Sequence, residues 1–171
     1  QLKKRTAEET KRVSARTEKA VKDATVRRFE HINAFVQSLA DLRGVRGEII
    51  SLRELRYVDN EHVTRLEEQV RSQADRLALR CVEFLLQPES LAPYQQQVQE
   101  ELGEIGGLTK TAEGRALEER IDATAGELEM LIEIVSNLKI DDATQRTGII
   151  DSISAIFAQL NQARSSLKAR I

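Results

Sequence analysis

The chain has 171 residues, of which 32% are charged and only 4% aromatic, and its net charge is −2. This charge excludes a protein that binds nucleic acid over its whole surface, and the few aromatic rings argue against one large compact core. With two prolines and much Glu, Lys, Arg, Gln, Ala and Leu, the composition instead predicts long helices.

The first 28 residues are the most basic part of the chain. They contain ten basic and four acidic side chains, a net charge of +6, so the remainder carries −8. Such a segment can meet phosphate or an acidic partner, although ion pairs along a solvated helix face would explain the same charges. The candidate phosphate contacts are Lys3, Lys4, Arg5, Lys11, Arg12 and Arg16.

The apolar pattern of residues 1–43 predicts one long N-terminal helix. Two runs of apolar or small residues repeat at intervals of three and four, weakly before Phe29 and more strongly after it. The positions are Val13, Thr17, Ala20, Ala24, Phe29, Ile32, Val36 and Leu39. An unbroken helix over residues 3–42 would be about 60 Å long, so part of it should project.

Two glycines then predict a kink or a short break. Gly44 and Gly47 each cost about 1 kcal/mol inside a helix. The apolar spacing nevertheless continues across them, which indicates a short helix ending near Val58. We therefore place a domain boundary at residue 44.

A third helix is predicted from the cap residues Asp59 or Asn60 to a point before Pro88. Either cap side chain can accept the first main-chain N–H groups, and a residue that precedes proline avoids helical torsions. The apolar stripe of this helix consists of Val63, Leu66, Val70, Leu77, Cys81, Phe84 and Leu85.

Two further helices are predicted around a glycine-rich joint. The first covers residues 91–105, and the second runs from Thr109 or Thr111 to Leu138. The joint GEIGGLTKT, residues 103–111, resembles a phosphate-binding P-loop only superficially, because Thr109 stands where the motif needs its last glycine and no strand precedes it. We interpret it as a loop that ends a helix.

The last helix carries the clearest heptad pattern. Its seam is spaced by four and three residues in turn and comprises Ile149, Ile153, Ile156, Leu160, Ala163 and Leu167. Before it, Asp142 can serve as N-cap and Gln145 can complete a capping box. The polar stretch between Leu138 and Ile149 is therefore predicted to be a helix joint rather than a catalytic loop.

Few residues indicate chemistry. Cys81 has apolar neighbours and is predicted to be a buried thiol rather than a reactive one. His31 and His62 are far apart in sequence and lack metal-ligand spacing, and the adjacent acids Glu100 and Glu101 look like solvated faces. No cofactor or metal is expected, although a Ser/His/Asp arrangement in space stays open.

One cluster near the end of the second helix combines basic and aromatic side chains. Arg53, Arg56, Tyr57 and His62 are a pattern that can stack on nucleic-acid bases. The alternative is a structural ion-pair cluster with Glu54, Asp59 and Glu61.

Location and completeness are also expectations. No apolar run approaches the length of a membrane span, and the start is polar, so we expect a cytoplasmic protein without membrane contact. Because the chain begins with Gln1, we expect it to be a piece of a longer protein.

Three stretches resemble a known family. They are FEHINAFVQSLADLRGVRGEIISLRELRYVD (29–59), RCVEFLLQPESLAPY (80–94) and LEMLIEIVSNLKIDDATQRTGIIDSISAIFAQLNQARSSLK (128–168). Together they are similar to the helical N-terminal region of large bacterial proteins described as DNA-repair ATPases. The resemblance implies a coiled-coil region that precedes an AAA-type ATPase module, whose ATP-binding motifs would lie outside this segment. It carries over no catalytic residue.

The sequence thus predicts an all-α protein of five or six long helices. We expect residues 1–43 and 141–171 to pair as an antiparallel coiled-coil stem, with residues 44–140 as a small helical knob. The alternative is a plain antiparallel bundle with a protruding first helix. The expected function is a non-enzymatic structural or interaction module whose partners are the rest of the ATPase chain and further copies of itself. Nucleic-acid contact through residues 1–28 is the second hypothesis, and an enzyme with a deep pocket is the third.

Overall fold

Six α-helices make up nearly all of the described chain. The computed structural model describes residues 1–108, 110–137 and 143–170, and this part of the chain contains no strand. The helices are α1 (Leu2–Val26), α2 (Ile32–Leu52), α3 (Asn60–Leu85), α4 (Ala92–Ile105), α5 (Thr111–Asn137) and α6 (Ala143–Arg170). The all-α prediction is therefore confirmed.

The helices belong to two units, Gln1–Cys81 and Val82–Ile171, which we call unit 1 and unit 2. In unit 1, α1 packs against α2, and in unit 2, α4, α5 and α6 pack against one another. The predicted stem of the first and last helices would be a contact between the two units and stays a prediction.

The single helix predicted over residues 1–43 is wrong at residues 27–31. Arg27 has extended torsions (φ −67°, ψ 141°), and His31, just before α2, is extended too. The break lets α2 fold back along α1, so that the apolar stripe of each helix covers the other. One continuous helix would leave both stripes in water, at a cost of roughly 1.5–3 kcal/mol for each large side chain left exposed.

The turn between α1 and α2 is held by aromatic and cationic contacts. The rings of Phe29 and Phe35 stack with centroids 4.6 Å apart, and the Arg80 guanidinium from α3 lies 4.9 Å from the Phe29 ring. Arg27 donates to Ser38 Oγ at 3.2 Å and to Gln37 Oε1 at 2.9 Å. These contacts supply the turn with partners that a straight helix could not reach.

The break predicted at Gly44 and Gly47 does not occur, since α2 runs through both glycines and ends at Leu52. The reason is burial. Leu42, Val45 and Ile49 have at most 1% of their surface exposed, and their burial outweighs about 1 kcal/mol per glycine.

Unit 1 is completed by α3, whose start follows the prediction. Asp59 Oδ1 accepts the main-chain N–H groups of Glu61 at 3.1 Å and of His62 at 3.3 Å, which is the geometry of an N-cap. The predicted stripe of α3 is buried, apart from the half-buried Phe84. Arg53 joins α2 to α3 through Glu67 at 3.0 Å, not through the acids expected from the sequence.

Unit 2 buries the predicted seam of α6. All six residues are at most 7% exposed, and Ile153, Ala163 and Leu167 are completely covered. The neighbours of α6 are α5 and α4, and Arg164 of α6 pairs with Asp122 of α5 at 3.0 Å. The predicted cap Asp142 and the end of the preceding stripe at Leu138 lie outside the described residues.

Candidate functional site

The six candidate phosphate contacts all lie on α1 with exposed side chains. They divide into two groups by their partners. Arg12 and Arg16 face α2 and form ion pairs there. Lys3, Lys4, Arg5 and Lys11 form no ion pair within the described part of the chain. Of the six candidates, the structure therefore leaves the four within the first eleven residues available for phosphate.

Arg12 and Arg16 join α1 to α2. Arg12 lies 2.6 Å from Glu9 and 3.2 Å from Glu48, while Arg16 contacts Glu48 and lies 3.6 Å from Asp41. The hydrogen bond from Arg12 lowers the pKa of Glu9, and the same contact raises the pKa of Arg12. A phosphate would have to displace these carboxylates, so the ion-pair interpretation holds for this pair of arginines.

A cleft of about 480 Å³ lies beside the start of α1, and we call it the Tyr57 cleft. Small-molecule sites in proteins commonly have volumes of about 300–1,000 Å³. Its polar and aromatic lining is Lys3, Lys11, Ser14, Tyr57, Asp59 and His62, with Thr6, Ala7 and Thr10 along the α1 wall. The cleft thus joins two of the predicted phosphate contacts to the basic-aromatic cluster that the sequence placed fifty residues away.

Tyr57 is held at the rim of the cleft in a costly backbone conformation. Its φ is +69°, in a region that residues other than glycine rarely adopt. Its side chain is 58% exposed. Thr6 Oγ1 donates to the carbonyl oxygen of Arg56 at 2.6 Å, which fixes this segment against α1. Lys3 Nζ lies 5.7 Å and the Arg56 guanidinium 5.8 Å from the centre of the ring.

Ser14 and His62, which both line the Tyr57 cleft, are in hydrogen-bond contact, with Ser14 Oγ 2.8 Å from His62 Nε2. A hydroxyl beside an imidazole is the first half of a nucleophilic triad. Among the described residues the imidazole has no further hydrogen-bond partner, and Oδ1 of nearby Asp59 accepts main-chain N–H groups. This contact joins α1 to α3, and the orienting group of a triad is missing from the described chain.

A second polar cluster lies inside unit 2. Glu101 is 0% exposed, so its predicted place on a solvated face is wrong. One carboxylate oxygen accepts from Gln97 Nε2 at 3.0 Å and Thr124 Oγ1 at 3.1 Å, while the other has no partner within the described chain. Helical spacing alone favoured burial, because Glu101 continues the buried stripe of Val98 and Ile105, whereas its residue type favoured solvent.

Glu127 lies near this buried carboxylate. Burial raises the pKa of Glu127, a hydrogen bond with Tyr94 lowers it, and the charge of Glu101 raises it again, for a net rise above the ordinary value. The folded state therefore holds the Glu127 proton more tightly than the unfolded chain does. It follows that this group stabilises unit 2 increasingly as the pH falls from neutral through the raised pKa.

We expect Glu127→Gln to raise the melting temperature at pH 7 and to flatten its rise between pH 7 and pH 5. The neutral amide removes the cost of a half-buried charge and leaves a group that Tyr94 can still contact. Melting followed by circular dichroism at several pH values measures both effects. Glu129→Gln, on the exposed side of α5, is the matched control. Equal pH profiles for the two variants would contradict the argument.

The glycine-rich joint ends α4, as predicted. The helix stops at Ile105, Gly106 and Gly107 follow in turn geometry, and α5 starts at Thr111. A depression of about 410 Å³ lies beside it, lined by Glu104, Glu113 and Arg120 among others. Glu104 already pairs with Arg120 at 2.8 Å. The acidic side chains make this depression a poor seat for phosphate.

Cys81 is buried, as predicted. It is 0% exposed, and burial raises the pKa of its thiol to about 12. Since the thiolate is the reactive form, the folded chain should react with a maleimide at pH 8 about 10³-fold more slowly than the urea-unfolded chain. Stopped-time labelling followed by mass spectrometry measures the two rates. Equal rates in the folded and unfolded chain would overturn this assignment.

Within residues 1–108, 110–137 and 143–170, no three His, Cys, Asp or Glu side chains are grouped so that they could hold a metal ion. None of the helices in the described chain has the length and apolar character needed to cross a membrane.

The fold and site define an all-α protein of two helical units, with a basic cleft in the first. Comparison with known families adds one match: residues 89–171 are similar to the family described as Domain of unknown function (DUF7902). This segment falls within unit 2 and includes α4, α5 and α6. No curated protein and no solved structure matches the chain.

Proposed function

We propose that this chain is a non-catalytic helical module of a larger bacterial ATPase of the DNA-repair type, in which it sets spacing, self-association or partner contact. The observation that carries the proposal is the burial of the α6 seam by neighbouring helices. The α6 seam lies within residues 128–168, one of the three stretches that resemble the family, and we explain it as a packing surface. The ATPase part of the proposal rests on that resemblance, and an antiparallel stem of the first and last helices is its finer form.

The test uses the full-length chain that contains these residues. We expect a Walker motif downstream of residue 171. We also expect deletion of residues 1–171 to change the oligomer measured by light scattering, while nucleotide binding by the remaining module persists. A full-length chain without an ATPase module, or a deletion that leaves assembly unchanged, would refute the proposal.

Nucleic-acid contact through residues 1–28 is the second candidate function. It is favoured by the four cations at the start of α1 that are exposed and form no ion pair in the described chain. Four neutralised phosphates on a single strand predict a slope of about −3 in a plot of log K against log salt concentration. Fluorescence anisotropy with a labelled oligonucleotide between 50 and about 200 mM salt measures it. Absence of binding at the lowest salt concentration would exclude this function.

A further inference from the structure

Cations, hydroxyl groups and an exposed aromatic ring meet in the Tyr57 cleft. Lys3 and Lys11 are eight residues apart on one helix, which places them about 12 Å apart along its axis. Thr6, Thr10 and Ser14 lie along the same wall. The Thr6 and Ser14 hydroxyls already form hydrogen bonds within unit 1. The groove therefore offers two cations and the Thr10 hydroxyl along one line, as a phosphate-bearing strand requires.

The aromatic ring of Tyr57 supplies a flat apolar surface, which phosphate binding alone would not require. Tyr57 combines a positive φ, which strains the backbone of a residue other than glycine, with a 58% exposed side chain. The cations of Lys3 and Arg56 lie within 6 Å of the ring centre. Both cations lie over the ring, so a planar base that stacks on Tyr57 would displace one of them, and the displaced cation can then meet the phosphate of the same nucleotide.

We propose that the Tyr57 cleft binds a nucleoside phosphate, with the base stacked on Tyr57, its phosphate held by Lys3, and Lys11 placed to contact a further phosphate when the ligand is a strand. This inference rests on nucleic-acid contact as the second proposed function, and it narrows that function to unpaired nucleotides. Asp59 also lines the cleft, but its Oδ1 accepts main-chain N–H groups of α3. The ligand is either one nucleotide of a single strand or a free nucleotide, since both present the same two groups.

The experiment measures anisotropy of a fluorescein-labelled oligothymidine with the full 171-residue chain at about 50 mM salt, where phosphate contacts are strong. Tyr57→Asn removes the ring while keeping a residue that tolerates positive φ, and Tyr57→Phe keeps the ring. We expect Tyr57→Asn to weaken binding about 5- to 150-fold, the measured range for one base stacked on an aromatic ring. Tyr57→Phe should bind like the unchanged chain.

Matched lysine variants distinguish the cleft from a diffuse basic surface. Lys3→Gln/Lys11→Gln removes two cations that line the cleft, whereas Lys19→Gln/Lys22→Gln removes two exposed cations of the same helix outside it. We expect the first pair to reduce both the affinity and the salt slope more than the second pair. Competition by unlabelled thymidine monophosphate shows that a free nucleotide suffices, and competition by the oligonucleotide alone shows that a strand is required.

Two results would overturn the proposal in different ways. Binding that is unchanged in Tyr57→Asn and equally weakened by both lysine pairs would remove the cleft but keep basic nucleic-acid contact. Binding of neither oligonucleotide nor nucleotide at 50 mM salt would remove both. Circular dichroism of every variant confirms that the helices are intact, so a lost signal reports binding rather than unfolding.

Discussion

Leu160→Asp should destabilise unit 2 by roughly 4 kcal/mol or more, because it buries a carboxylate without a partner. Leu160 is 1% exposed at the centre of the α6 seam, with Ile156 one turn before it at 3%. A loss of this size is a large fraction of the 5–15 kcal/mol that stabilises a typical domain. Urea unfolding followed by circular dichroism measures it, and hydrogen exchange should show protection lost in α4, α5 and α6.

The neighbouring position supplies the control. Gln159 is exposed on the same helix, so Gln159→Asp adds the same charge without burying it and should change stability by less than about 0.5 kcal/mol. Ile156→Asp should behave like Leu160→Asp. If Leu160→Asp and Gln159→Asp unfold at the same urea concentration, the α6 seam is not a packed surface and the module proposed here loses its main support.

Phe35→Ala should cost about 3–5 kcal/mol in unit 1, the usual range for a buried aromatic ring replaced by alanine. Phe35 is 3% exposed and stacks on Phe29 at the turn that lets α2 return along α1. The variant therefore removes core volume and the partner of the Phe29 ring. Urea unfolding measures the loss, and hydrogen exchange should place it in α1 and α2.

Leu79→Ala is the control for Phe35→Ala. Leu79 lies on α3 and is 53% exposed, so its truncation removes little buried area and should cost less than about 0.5 kcal/mol. A Phe35→Ala variant as stable as Leu79→Ala would mean that the turn at residues 27–31 does not depend on this aromatic contact.

The burial of Glu101 is a case in which helical spacing and residue type give opposite predictions. Periodicity places Glu101 on the same stripe as Val98 and Ile105, but the residue type argues for solvent. The conflict is decided by Thr124, which lies 23 positions away and donates a hydrogen bond to the carboxylate. A local pattern contains no information about such a partner, so the sequence could not choose between the two.

The Tyr57 cleft likewise depends on residues that are far apart in the sequence. The sequence predicts Lys3 and Lys11 as candidate phosphate contacts and Tyr57 as part of a basic-aromatic cluster, but it does not predict that these two features lie together. The return of the chain after the turn at residues 27–31 brings the start of α1 beside the segment that precedes α3. No sequence motif predicts this contact, because the residues are about fifty positions apart.

The sequence by itself determined the all-α class, which face of α6 is buried, the burial of Cys81, and a cap for α3 at Asp59 or Asn60. Each follows from residue type and spacing along one helix, which the sequence gives directly. The tertiary structure alone decided that the helix breaks at residues 27–31, that α2 continues through its glycines, and that Glu101 is buried. In these cases the free energy gained by covering apolar surface with a distant helix exceeds the local preferences of the chain. These contacts between distant helices exist only in the folded protein.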